Sequence, residues 1–200
     1  GAQAELGRFL PVVEALVGAG VEVSVDTTRA SLADAALGAG AGWVNDVSGG
    51  LADPAMLATV ARRGGGYIAM HWRGHSRVMQ ERAVYGDVVA EVAGELAARR
   101  DAALAAGIDP ARLVLDPGIG FAKGADHNWE VLRHWDVFEA LGFPLLLAVS
   151  RKRFLGTLLG SEQHPVPPGR RDDATAALTA VFAARGVWGV RVHEVRANRD

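Results

Sequence analysis

The sequence predicts an α/β barrel, on three observations. Six short apolar segments alternate with helical patterns, several of them are rich in β-branched residues, and each ends on polar side chains. Runs of this length suit parallel strands covered on both faces. Polar groups at the C-terminal ends of barrel strands converge on one mouth, where ligands bind. A doubly wound sheet gathers its ligand at a single switch point instead. Spread over every strand end, the polar groups favour a TIM (β/α)8 barrel with about six of the eight strands represented.

The expected strands are Val21–Asp26, Trp43–Val47, Tyr67–His71, Leu113–Asp116, Leu145–Ser150 and Val187–His193. The first expected helix, Glu5–Gly18, carries a proline near its first turns, and Ser31–Ala39 is short. Pro54–Arg62 opens with a first-turn proline after Asp53. Asp87–Ala106 is long and Ala-rich and stops at Gly107, a C-terminal cap. Trp129–Leu141 follows Asn128 as N-cap and ends at Gly142, and Asp173–Arg185 ends at Gly186. The 200 residues form a single domain by this reading.

Composition excludes several classes of function. Half the residues are hydrophobic and 22% are charged, with a net charge of −2 and the two signs interspersed. That speaks against a disordered tail and against nucleic acid or membrane as the main partner. Absence of cysteine removes thiolate catalysis and cysteine-held metals. The opening residues lack the pattern of a signal peptide, and no apolar run approaches a membrane span. A cytoplasmic protein is expected. Of 21 basic residues, 19 are arginine, so Lys123 and Lys152 stand out in a chain whose routine cation is Arg.

Chemistry concentrates at the strand ends. Asp26, in Ser24-Val25-Asp26-Thr27, either offers a carboxylate to paired N–H donors or caps the next helix. Asn45, in Asn45-Asp46-Val47-Ser48-Gly49-Gly50, either reads the edge of a heterocycle or forms a turn. Asp116-Pro117-Gly118-Ile119-Gly120-Phe121-Ala122-Lys123 combines a carboxylate, glycines that let backbone approach a ligand, a flat ring and a cation. It is neither a Walker loop nor a dinucleotide fingerprint. In extended geometry Ser150 and Lys152 point to one side and Arg151 to the other. Arg191-Val192-His193 repeats that spacing and suits a diphosphate clamp. Met70 and His71 either line a ligand or pack inside the barrel, and the histidines lack the spacing of a zinc site.

Taken in order, Val-Ser-Val-Asp-Thr, Asn-Asp-Val-Ser-Gly-Gly, Met-His, Asp-Pro-Gly-Ile-Gly-Phe-Ala-Lys, Ser-Arg-Lys-Arg-Phe and Arg-Val-His-Glu-Val closely resemble dihydropteroate synthase, from about Leu10 to Val195. The resemblance implies a pterin pocket in a barrel mouth. Asp26, Asn45, Asp116 and Lys152 would hold the pterin ring, with Met70 and Phe121 along its faces. Ser150 would lie toward p-aminobenzoate, and Arg191 and His193 would bind diphosphate, so Lys152, Arg191 and His193 carry the catalytic roles.

The same resemblance implies Mg²⁺ travelling with the diphosphate, sulfonamides as inhibitors and a homodimer. It also implies that two N-terminal strands and their loops, one with the metal-associated Asn, and the last helix lie outside this sequence, incomplete at both ends. No metal ligand is expected within it. Ala148 stands where the family commonly has Gly. Competing readings are a pterin-dependent methyltransferase domain, which has no use for a diphosphate clamp, and a non-catalytic pterin-binding paralogue.

Overall fold

All six expected strands form, and most are shorter than their apolar runs. In the computed structural model, which describes residues 2–75, 79 and 81–199, the chain divides into two compact units. One comprises Gly1–His71 with Glu95–Leu115, the other Trp72–Gly94 with Asp116–Asp200.

The first unit alternates helix and strand: α1 (Ala2–Gly18), β1 (Ser24–Asp26), α2 (Ala30–Gly38), β2 (Trp43–Asp46), α3 (Met56–Arg63) and β3 (Gly66–Met70). The later part of α4 (Val88–Ala105) and most of β4 (Leu113–Asp116) complete it. The strands lie in the order β1-β2-β3-β4. Pairing is parallel from β1 to β2 and from β2 to β3, with Asp26 opposite Asn45 and Asn45 opposite Ile68. Side chains alternate along a strand, so this register sets Asp26, Asn45, Ile68 and Met70 on one face of the sheet. Val44, Asp46, Tyr67 and Ala69 share the other.

Asp46 organises the turn after β2. Its Oδ1 accepts from the Ser48 N–H at 2.8 Å and the Ser48 hydroxyl at 2.7 Å; its Oδ2 accepts from the Gly50 N–H and the Tyr67 hydroxyl, both at 2.8 Å. Burial and the neighbouring carboxylate push the Tyr67 phenol well above its usual range. Asp46 is fully buried, and its four bonds satisfy the carboxylate. Asp46→Ala is therefore expected to lower unfolding free energy by about 2–4 kcal/mol, because it strands buried donors, as read from urea denaturation. A loss under about 0.5 kcal/mol, the range of ordinary surface changes, would contradict this.

Helix starts in this unit differ from expectation. The third helix begins at Met56, with Pro54 in the turn before it. Asp53 binds the Ala55 N–H at 3.0 Å and also caps α2 from outside, accepting from the Ala30 N–H at 2.8 Å. That second bond supplies what Arg29 cannot, since the N-cap side chain there makes no capping bond. Pro11 lies well inside α1. Gly107 ends α4 as expected, in a left-handed conformation with φ +92°.

The second unit contains α5 (Ala125–Arg133), α6 (Trp135–Glu139), β5 (Leu146–Leu147), α7 (Arg153–Leu159), α8 (Asp172–Ala184), β6 (Gly189–Val190) and α9 (Arg196–Arg199). β5 and β6 pair in parallel, Leu146 opposite Gly189 and Leu147 opposite Val190. The single helix expected over Trp129–Leu141 is two helices broken at His134, and it starts four residues earlier. Asn128 is not its N-cap. It lies inside α5, where its amide donates to the Gly124 carbonyl at 2.7 Å and its oxygen accepts from the Gly120 N–H at 2.6 Å. After the break, Trp135 and Phe138 are buried, and Trp135 meets Phe182 of α8 edge-on at 4.8 Å. Aromatic pairs of this geometry favour the packed state beyond their area alone.

Candidate functional site

In the first unit the strand register brings two expected residues together. The Asn45 amide donates to Asp26 Oδ1 at 3.0 Å across neighbouring strand ends. Asn45 is 4% exposed, and its Oδ1 is buried without a hydrogen-bond partner among the described residues. A stranded buried acceptor costs about 1–3 kcal/mol, so this carbonyl is set for a donor from a ligand. Met70 ends β3 on the same face, fully buried. His71 is buried as well, and its Nε2 lies 2.9 Å from Glu95 Oε2, a contact inside the unit.

In the second unit Asp116 is fully buried. Its Oδ1 accepts from the Gly118 N–H at 2.8 Å, while Oδ2 has no hydrogen-bond partner among the described residues. Arg191 Nη2 approaches that oxygen to 3.9 Å, an ion pair too long for a hydrogen bond. Burial pushes the Asp116 carboxyl above its usual value, opposed by the charges of Lys152 and Arg191. Lys152 shifts the complementary way. Burial lowers its ammonium from the usual 10.5 to about 8, against the attraction of Asp116 and with some help from Arg191. A buried carboxylate and ammonium thus share one cluster with a partly exposed guanidinium.

Both lysines serve one loop. Lys123, 3% exposed, gives Nζ to the carbonyls of Gly118 at 3.1 Å and Phe121 at 3.3 Å, and Lys152 gives Nζ to the Ile119 carbonyl. A compact ammonium with three donors fits converging carbonyls better than a planar guanidinium. That accounts for lysine in a chain that otherwise uses arginine. Lys152 Nζ also lies 4.6 Å from the centroid of the Phe121 ring. Gly120, at φ +79°, leaves room for the Lys152 stem: a Cβ there would come within 2.6 Å of Cδ.

Ser150 and His193 form a pair. His193 N–H donates to Ser150 Oγ at 3.1 Å, and Oγ lies 2.8 Å from His193 Nδ1. A serine hydroxyl carries one donor and two acceptor lone pairs, so Oγ holds the imidazole through Nδ1 whichever of the two supplies the proton. Arg151 departs from the extended geometry expected of it. It takes φ +58° and turns to a bidentate pair with Asp172 at the start of α8, both contacts 2.8 Å. Among the described residues no three His, Asp or Glu side chains stand together as a metal cage.

The chain matches the pterin binding enzyme family over residues 1–193. It belongs to that family. Among similar proteins are the dihydropteroate synthases of Mycobacterium leprae, 53% identical over 98% of this chain and 70% of the relative, and of Synechocystis sp., 41% identical over 96% and 66%. The chain thus spans about two thirds of the length of these relatives. The dihydropteroate synthase of Thermus thermophilus, solved in complex with 6HMPPP, is 43% identical and superposes with a TM-score of 0.90 over 99% of this chain and 76% of that one. The same protein in complex with 4-aminobenzoate gives 0.87 over 95% and 72%. Within the family the chain falls with the dihydropteroate synthases, which carries the expected TIM-barrel fold class with it.

Sequence reasoning passed over one cluster in the second unit. Arg73, Tyr85 and Glu91 lie in and beside the segment before α4 and join to one another. Their partners are scattered from position 73 to 127, so no local spacing announces them.

Proposed function

We propose that the chain catalyses the condensation of 6-hydroxymethyl-7,8-dihydropterin diphosphate with p-aminobenzoate, giving 7,8-dihydropteroate and diphosphate, as a transferase of folate biosynthesis. The buried Asp116 Oδ2, with no hydrogen bond of its own and two cations near it, is the observation that carries this reading. A pterin's 2-amino group and adjacent ring N–H are neighbouring donors that one carboxylate can satisfy. Its 4-oxo group is an acceptor within the chemistry of Lys152. Asn45 Oδ1, paired through its amide to Asp26, is a second acceptor for the ring. Met70 and Phe121 would line the pterin faces, and Ser150 the p-aminobenzoate side.

In the reaction the methylene C–O bond breaks and its electron pair leaves with diphosphate. The aryl amine then forms the new C–N bond and gives up a proton. Charge stabilisation at the leaving group is the main demand. The Arg191 guanidinium and the His193 imidazole, held through Nδ1 by Ser150, are suited to the diphosphate oxygens. Mg²⁺ would arrive with the diphosphate. It would supply Lewis-acid charge to the leaving group, and the described residues offer no cage for it. The reading also includes inhibition by sulfonamides, a homodimer and a cytoplasmic setting; no helix of the described residues is long and apolar enough to cross a membrane.

The deciding assay mixes the purified protein with both substrates and Mg²⁺ and follows diphosphate release and coupled product. Equal yields of both support the proposal. Pterin binding without release favours a non-catalytic pterin-binding protein.

The Lys152 shift adds a pH dependence. An ammonium with a folded pKa near 8 is neutral in the native chain and charged in the unfolded chain between about 8 and 10.5, so its contribution to stability rises with pH across that window. Ligand affinity moves oppositely, because the charged ammonium donates the stronger hydrogen bond to the pterin carbonyl and the neutral amine forfeits that charge assistance. Pterin affinity is expected to be level from about pH 6.5 to 7.5 and to fall above about 8 toward a tenfold loss per unit for one proton. Lys152→Gln should bind weakly at every pH and lose that slope. Titrations of pterin binding across pH check this, and an unchanged slope in the variant would exclude Lys152 as its source.

A further inference from the structure

The Asp116–Lys123 loop is pinned from outside by a tyrosine that the proposed chemistry does not use. The Tyr85 hydroxyl donates to the Ala122 carbonyl at 2.8 Å. The ring behind that hydroxyl is fixed on two sides. The Arg73 guanidinium lies 3.9 Å from its centroid, and His127 of α5 meets its edge at 5.0 Å and 77°. Arg73 is itself tied down, giving Nη2 to Glu91 Oε2 and Nη1 to the Val84 carbonyl, both at 2.7 Å. The other Glu91 oxygen accepts from the Gly86 and Asp87 N–H groups at 2.7 and 3.0 Å. Glu91, Arg73 and Tyr85 thus form one rigid strut ending on Ala122.

The point it touches is the strained one. Ala122 is buried, and its φ of +48° is left-handed, a conformation that an alanine keeps only where its surroundings hold it. It lies between Phe121, whose ring sits beside the Lys152 ammonium, and Lys123, which binds the loop's own carbonyls. A shift at Ala122 therefore moves Phe121 and, with it, the ground under Lys152.

We infer that Tyr85 is a positioning residue for pterin binding: through Ala122 it sets the Phe121 ring and the backbone of the Asp116–Lys123 loop. The inference rests on the pterin reading above and adds control of that subsite from a residue outside those proposed to touch the ligand. Tyr85→Phe is the clean variant, because it keeps the ring between Arg73 and His127 and removes only the hydroxyl. The expected result is a rise of about three- to tenfold in the pterin Kd and in KM for the pterin diphosphate, the scale of one lost hydrogen bond. KM for p-aminobenzoate should stay within about twofold, inside the scatter of neutral surface changes. Hydrogen exchange should quicken in residues 118–123 and be unchanged in α8.

A lower kcat with both KM values unmoved would show a merely structural role and overturn the inference. So would unchanged exchange in the loop, or faster exchange with an unaltered pterin Kd. Wild-type protein that takes up no pterin defeats the functional reading itself, and the inference with it. A variant-to-wild-type ratio near one, against a wild type that binds, defeats the role of Tyr85 alone.

Discussion

Asp116→Asn should weaken pterin binding by about one to two orders of magnitude, since it removes hydrogen bonding to a charged acceptor worth about 1.5–3 kcal/mol. Shape is conserved in this change and only charge and donor pattern alter. The amide would turn an N–H₂ group toward a ligand edge that already presents donors, or forfeit the Gly118 N–H that Oδ1 now accepts. Lys152 and Arg191 would lose an anion that offsets their mutual repulsion. The Lys152 ammonium should then titrate lower still, which compounds the loss at neutral pH. Folding should suffer much less than binding, because removing a desolvated carboxylate also removes its burial cost. Calorimetric titration with a pterin settles it, and a Kd within about threefold of wild type would remove Asp116 from the site.

Arg191→Ala should act on the other half of the chemistry. A preorganised donor to a leaving group is worth about 10²–10³ in kcat, and the guanidinium is the residue here that can offer diphosphate two parallel N–H bonds. Single-turnover release of diphosphate should slow by that order while the pterin Kd changes by far less. Some effect on binding is expected all the same, through the 3.9 Å ion pair with Asp116 Oδ2. Release at the wild-type rate would take the diphosphate away from Arg191 and leave His193 as its principal partner.

The strands were legible because each apolar run is bounded by polar residues, a signal that survives without any partner strand. Their lengths were not. Val187–His193 reads as one strand, yet only Gly189–Val190 pairs with β5. Beyond it Arg191 N–H still donates to the Leu147 carbonyl at 2.9 Å, while its side chain turns to Asp116 and that of His193 to Ser150. Asn128 misled for a related reason. Asparagine before an apolar run is a standard helix start, but here its amide is used to tie the Gly120 turn to α5.

The site was legible where chemistry sits at strand ends and illegible where it depends on contacts between distant loops. Asp26 and Asn45 follow from register alone once β1 and β2 are parallel neighbours. Asp46, adjacent in sequence, points to the other face and is consumed by its own turn and by Tyr67. Arg151 belongs to Asp172 because a left-handed residue redirects it. No periodicity encodes that turn. Tyr85 carries no signal in its own neighbourhood, and its meaning comes from contacts with Arg73, Ala122 and His127.

Whether a dihydropterin is truly what Asp116 awaits can be read from one crystal structure of the protein with that ligand bound. The expected result puts a ring N–H or the 2-amino group about 3 Å from Asp116 Oδ2. A well-ordered pterin elsewhere, with that oxygen still lacking any donor, would contradict the central claim.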